Sequence, residues 1–294
     1  MTTPRPWRVF GRAYKRGLII SLALLCTLPA GSALAQDQVE AAPKANDLGL
    51  AIGGTGLPLE ITADGGIEWE QRRAVIRARG NARAVHGDVA VNADMLSAYY
   101  RDSAAGAAEI WRLEADGDVR ITTPTDTAFA ERGQYDVDSA VLVLSGGNPV
   151  RLVGKDGEVR ADRQMEYWQA KRMVVARGDA VAVQGDKTIR ADVLVAYLRE
   201  GAEGKTELDR VEAFDRVHII TAEEDVHGTR GVYDAASGKA ALTGDVRITR
   251  GKNQLNGCRA EVDLKSGVSK LFGCGDGGVG RVRGLIQPEQ DNKK

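Results

Sequence analysis

Residues 98 positions apart in this chain match over most of its length, and this repetition restricts the fold more than any other feature. Ala63-Asp64 returns as Ala161-Asp162, Ala78-Arg79-Gly80 as Ala176-Arg177-Gly178, and Ala93-Asp94 as Ala191-Asp192, each 98 residues on. Tyr99 falls on Tyr197, Glu114-Ala115 on Glu212-Ala213, Arg132-Gly133 on Arg230-Gly231, and Tyr135-Asp136 on Tyr233-Asp234, without a gap. Roughly a third of the positions from Ile61 to Gly146 are identical to their counterparts. Two copies of one unit therefore follow each other, and the fold must be one in which a unit can stack on its twin. The copies span 61–158 and 159–256, with further strand-like sequence to 287.

Each copy is made of shorter pieces that open at a Gly followed by a polar residue: Gly80-Asn81, Gly117-Asp118, Gly147-Asn148, Gly178-Asp179 and Gly244-Asp245, with Asp215-Arg216 in the place of a sixth. Runs such as Val119-Arg120-Ile121-Thr122, Val217-His218-Ile219 and Val246-Arg247-Ile248-Thr249 follow, apolar and polar by turns. A period of two is that of a strand with one face buried. Gly-Asn and Gly-Asp tolerate positive φ, as do Lys155-Asp156-Gly157 and Ser237-Gly238, so all of them are expected to make tight hairpin reversals between strands of six to ten residues. After residue 57 no apolar stripe of helical spacing lasts beyond two turns. The expected class is all-β and antiparallel. The two copies are expected to form one continuous body, because 146–160 keeps the strand-and-turn rhythm with no linker composition.

The N-terminus differs. Residues 1–35 hold Arg5, Arg8, Arg12, Lys15 and Arg16, an apolar run from Leu18 to Leu28, and small residues at Ala33 and Ala35. That order describes a cleaved export signal, with an apolar run too short to span a bilayer. Cys26 follows Leu25 rather than a small residue, which argues against lipidation. Residues 36–56 read as a flexible lead and 288–294 as a tail. Beyond residue 35 the chain has 35 basic residues against 41 acidic ones, a net of −6, and no basic run, so nucleic acid is not an expected partner. Cys258 and Cys274 then remain, either as one disulfide or as two buried thiols.

The chain resembles the OstA-like family. The resemblance is carried by Gly244-Asp245-Val246-Arg247-Ile248, Leu255-Asn256-Gly257 and Ala260-Glu261-Val262-Asp263-Leu264, by Arg230-Gly231-Val232-Tyr233-Asp234 before them, and by Arg281-Val282-Arg283-Gly284 at the end. It covers about 57–287 and is nearest to the family's small periplasmic lipopolysaccharide-transport member. It implies an open, twisted antiparallel β-jellyroll built here from an internal duplication. A long apolar groove would hold lipid A acyl chains, and the ends would pair with related β-jellyroll domains of the inner-membrane and outer-membrane transport complexes, or head to tail with another copy of this chain. On that reading the groove is lined by Val119, Ile121, Leu142, Leu144, Val150, Leu152, Val217, Ile219, Leu242, Val246 and Ile248, while Arg120, His218 and Arg247 face water. Ala82-Arg83-Ala84 and Ala180-Val181-Ala182 depart from the Val-x-Ile pattern and suggest a wider groove there. From alternation alone, a sealed core is the favoured reading of the same apolar positions, and the resemblance reverses that preference.

Chemistry is not expected. His86, His218 and His227 lie at no metal-binding or nucleophile–base spacing and read as solvated strand positions. The repeated Ala-Asp pairs at Asp64, Asp94, Asp162 and Asp192 lack the dense ligand spacing of a calcium loop. The 273–280 Gly run occurs once and opens no helix, and no Gly-x-Ser-x-Gly occurs. Arg72-Arg73 and Lys171-Arg172 read as exposed hairpin tips that could also meet lipid phosphates. Neither a catalytic site nor a cofactor or metal is expected. A periplasmic carrier that shields acyl chains between the two membranes is the leading function, and a structural β-repeat spacer with protein partners only is the alternative.

Overall fold

The structure, a computed structural model, describes residues 59–102, 108–155, 157–201, 206–263, 265–275 and 280–287. The expected signal, lead and tail (1–35, 36–56 and 288–294) lie outside the described residues. One antiparallel sheet of 18 strands contains β1 (Glu60–Thr62), β2 (Ile67–Glu70), β3 (Val75–His86), β4 (Val89–Asp102), β5 (Ala108–Thr122), β6 (Asp126–Asp136), β7 (Val141–Ser145), β8 (Val150–Gly154) and β9 (Gly157–Ala161). It continues with β10 (Gln164–Trp168), β11 (Met173–Gln184), β12 (Lys187–Glu200), β13 (Thr206–Ile220), β14 (Asp225–Asp234), β15 (Lys239–Arg250), β16 (Asn253–Asp263), β17 (Val268–Phe272) and β18 (Arg283–Leu285). The only helical turns among the described residues are short 3-10 turns at Gln71–Arg73 and Gln169–Lys171, which put the Arg72-Arg73 and Lys171-Arg172 pairs at exposed tips.

Five of the Gly-Asx openings, Asp215-Arg216 included, do not reverse the chain. Gly80-Asn81, Gly117-Asp118, Gly178-Asp179, Asp215-Arg216 and Gly244-Asp245 lie inside β3, β5, β11, β13 and β15, with both residues of each pair at positive φ. There the strand holds one more residue than the strand opposite, as between Arg79 and Ala82 on β3 against Met95 and Ala93 on β4. These are β-bulges, which bend a strand and increase its twist. The expectation of hairpins at these pairs is corrected, and with it the expected length: the strands run up to 15 residues because they pass through the bulge. Lys155 and Ser237-Gly238 do sit in hairpin turns. Gly146 and Gly147, both at positive φ, separate β7 from β8 ahead of a cis Asn148-Pro149 bond.

The bulges fall side by side across the sheet, so it creases along one line into two facing rows. Long strands run through both rows. At four places the chain leaves the sheet and rejoins it, so that β1/β2, β7/β8, β9/β10 and β17/β18 each supply one short strand per row: β2, β7, β10 and β17 in the first, β1, β8, β9 and β18 in the second. Residues next to the crease are small and fully covered: Ala78, Ala82, Ala176, Ala180, Ala213 and Ala260 are at most 1% exposed. Ala82 and Ala180 are thus small because two rows converge on them.

The copies meet at β7/β8 and β9/β10: β10 pairs with β7, and β9 pairs with β8. The strands 98 residues before β9/β10 are β1/β2, and these pair with β3 alone. One buried side chain after another in the second copy is therefore bare in the first. Met165 and Tyr167 are 4% and 5% exposed, whereas their counterparts Ile67 and Trp69 are 51% and 64% exposed. At the other end, β17 and β18 pair with β16 alone, and Cys258 on β16 forms a disulfide with Cys274, Cα to Cα 5.0 Å.

Candidate functional site

The inward positions of the two rows make an apolar trough. On β5, alternation aims Val119 and Ile121 inward and leaves Arg120 exposed; on β15 it aims Val246 and Ile248 inward and leaves Arg247 exposed. All the candidate groove residues join one apolar cluster, but they occupy two depths. Val119, Val150, Val217, Leu242 and Val246, at 0–2% exposure, lie against the crease. Leu144, the counterpart of Leu242, is 4% exposed beside the crease, Ile121, Leu142 and Ile248 are buried further from it, and Leu152 and Ile219 are only half-buried. Other inward residues near the lips, among them Ile61, Val91, Val159, Ile189 and Leu198, are half-buried too. Apolar side chains are thus left partly open along the two facing lips.

The N-terminal end of the trough holds a cavity. Its empty space is about 720 Å³ including the part open to solvent, and both rows line it, with Ile61, Val91 and Ile121 from one and Ile76, Leu113 and Leu142 from the other. Only Ile121 and Leu142 of the candidate residues reach this cavity. The rest, Ile61, Ile76, Val91 and Leu113 among them, were not candidates; on β3 the Ala82-Arg83-Ala84 run lacks the branched side chains that mark the other candidate strands. Polar groups at its border are tied down. The Tyr99 hydroxyl donates to Glu114 (2.8 Å), and that hydrogen bond, which only the protonated phenol can make, holds the phenol pKa above its usual value together with burial and the carboxylate's charge. Burial likewise raises Tyr135, whose hydroxyl donates to Gln169 Oε1 at 3.1 Å.

The histidines require a second correction. His86 is buried at 8% exposure and lines the cavity. His218 on β13 and His227 on β14 are direct cross-strand partners whose rings stack, centroids 4.1 Å apart. Asp225 joins them, so a group of metal-ligating side chains does exist. Eight residues of hairpin separate the two histidines, and strand register brings them together; spacing in sequence carries no sign of this until the turn at 221–224 is known.

Among the described residues no helix is long and apolar enough to cross a membrane. The family described as "LptA/(LptD N-terminal domain) LPS transport protein" matches twice in succession, over 60–163 and 158–268, once for each copy. An uncharacterised protein of Rhizobium meliloti (strain 1021) is 24% identical over 153 residues, 50% of this chain and 76% of that protein. Among solved structures, LptH of Pseudomonas aeruginosa, the LptA-homologous periplasmic component of a lipopolysaccharide transport device, aligns over 79% of this chain and 96% of its own, at 10% identity and a TM-score of 0.21.

Proposed function

Because this chain belongs to the LptA/LptD N-terminal-domain family of lipopolysaccharide transport proteins, we propose that it acts in the periplasm and carries lipopolysaccharide with the acyl chains lying in the trough. The half-buried apolar residues along both lips carry this reading. A slender apolar guest would cover them, and each buried methylene gains about 0.8 kcal/mol, so several acyl chains can be held without a charged contact. The family is one of transport rather than catalysis.

A bridge between membranes needs the trough to continue into a neighbour. The N-terminal edge supports this part of the proposal: Ile67 and Trp69 are exposed where Met165 and Tyr167 are covered by β7. A strand pair from another jellyroll domain, added to β1 and β2 as β8 and β7 are to β9 and β10, would cover them and extend both rows by backbone hydrogen bonding. Related domains at the inner and outer membranes, or a second copy of this chain head to tail, are the proposed occupants.

A photo-crosslinking residue tests the trough. At Ile219 or Ile121 it should capture lipopolysaccharide in cells, and at Arg120, on the outer face, it should not. At Val217, against the crease, capture should be weak. An Ile219→Asp chain should fold, since that position already meets water, but lose its lipid. Equal capture from Arg120 and Ile219, or undiminished lipid on folded Ile219→Asp, would sink the assignment.

A further inference from the structure

We propose that His218, His227 and Asp225 form a binding site for one divalent transition-metal ion of the zinc class, on the outer face of the sheet and separate from the trough. Strand geometry builds it. Asp225 and His227 are two residues apart on β14 and so share a face, and His218 is opposite His227 on β13. His218 Nε2 lies 3.0 Å from one oxygen of Asp225, and His227 Nε2 lies 2.9 Å from the other. The three ligand atoms all lie within 4.8 Å of one another. Two ligands on one tetrahedral ion at bonds of about 2.0–2.1 Å stand roughly 3.3 Å apart, so each carboxylate–imidazole distance is already close and the two rings need only turn about their side-chain bonds.

Donor type selects the ion. Two imidazoles with one carboxylate suit zinc, copper or nickel and suit calcium or magnesium poorly. Side-chain exposures of 26% for His218, 47% for His227 and 46% for Asp225 leave room for water to complete the coordination. Cys258 and Cys274, tied to each other, offer no thiolate to compete. The neighbours oppose the ion: Arg190 on β12 and Arg247 on β15 are next in register on either side. Their charge makes a further cation less welcome, and that gives the test its control.

Untagged protein stripped with a chelator and titrated with Zn²⁺ against a chromophoric competitor should take up one equivalent. His218→Ala and His227→Ala should each weaken uptake at least tenfold, with the strand signal in circular dichroism unchanged. Arg247→Gln removes a cation and no ligand, and should bind at least as tightly as the parent. Co²⁺ in the unaltered protein should give visible bands that vanish in His227→Ala, a readout that does not depend on comparing affinities. No stoichiometric uptake by the unaltered protein would overturn the site. So would equal affinity in the folded histidine variants, or a loss in Arg247→Gln as large as theirs.

Discussion

Glu68 and Glu166 stand at the same position in the two copies but in different surroundings. Glu68, on the edge strand β2, has a side chain 60% exposed and a 3.4 Å contact to Arg79. Glu166, on β10, is 6% exposed and accepts hydrogen bonds from Arg177 Nε (2.7 Å), Trp168 Nε1 (2.8 Å) and Gln164 Nε2 (2.7 Å). Burial pushes its pKa up, but the three donors, one of them cationic, outweigh burial and hold it below the usual carboxylate value. Its stabilisation is then complete above the unfolded value, about 4.3, and fades as pH falls through the depressed native value. Glu166→Gln should cost about 2 kcal/mol in urea unfolding at pH 7, because charge-assisted bonds are lost and donors are left poorly matched. The gap should narrow below about pH 4. Glu68→Gln should change stability by less than about 0.5 kcal/mol. The pairing of Glu166 with Arg177 repeats Glu68 with Arg79 at the same offset, so that much is visible in the sequence; the burial is not, because it comes from β7, which has no counterpart beside β2.

The element that decides the architecture is the bulged strand. Alternation places Val119, Ile121, Val246 and Ile248 inward and Arg120 and Arg247 outward from sequence alone, because period two survives on each side of a bulge. What the bulge does to the chain is hidden. Gly117-Asp118 in mid-strand and Ser237-Gly238 in a hairpin both call for positive φ, and local sequence does not say whether the chain turns back or merely bends. Only the registers on both flanking strands, a long-range property, separate the two. One bulge departs from the pattern: Asp215 and Arg216 hold φ of 61° and 50° where the first copy has Gly117-Asp118. A residue with a Cβ pays roughly 1 kcal/mol or more in that region. Asp215→Gly removes the strain and loses some chain entropy, so it should raise stability by about 0.5–1 kcal/mol, read as a higher urea midpoint at unchanged slope. A lower midpoint would mean that the Asp215 side chain is needed where it stands.

At the scale of the whole sheet, the most exposed apolar residues gather at its ends: Ile67 and Trp69 at one, Val268 and Leu285 at the other. Unpaired strand edges with such residues invite a neighbour. Trp69→Lys should leave the fold intact, since the residue is 64% exposed, and should reduce the proposed head-to-tail association at least tenfold in sedimentation, with the indole fluorescence of the unaltered protein shifting to the blue as association proceeds. Association undisturbed by Trp69→Lys would place the contact elsewhere. The copy junction, where β7 and β8 cover β10 and β9, also has a metric consequence. Each copy adds six strands to a row, and at about 4.8 Å per strand that is roughly 29 Å of sheet. The same six steps turn the far edge by roughly 120°, at about 20° per strand. The number of copies therefore acts as a ruler and a dial together. It fixes how far a chain of this kind reaches and the angle at which it presents its last strand to whatever docks there, and a third copy inserted at the junction would lengthen the reach while bringing that edge back near the orientation of the first.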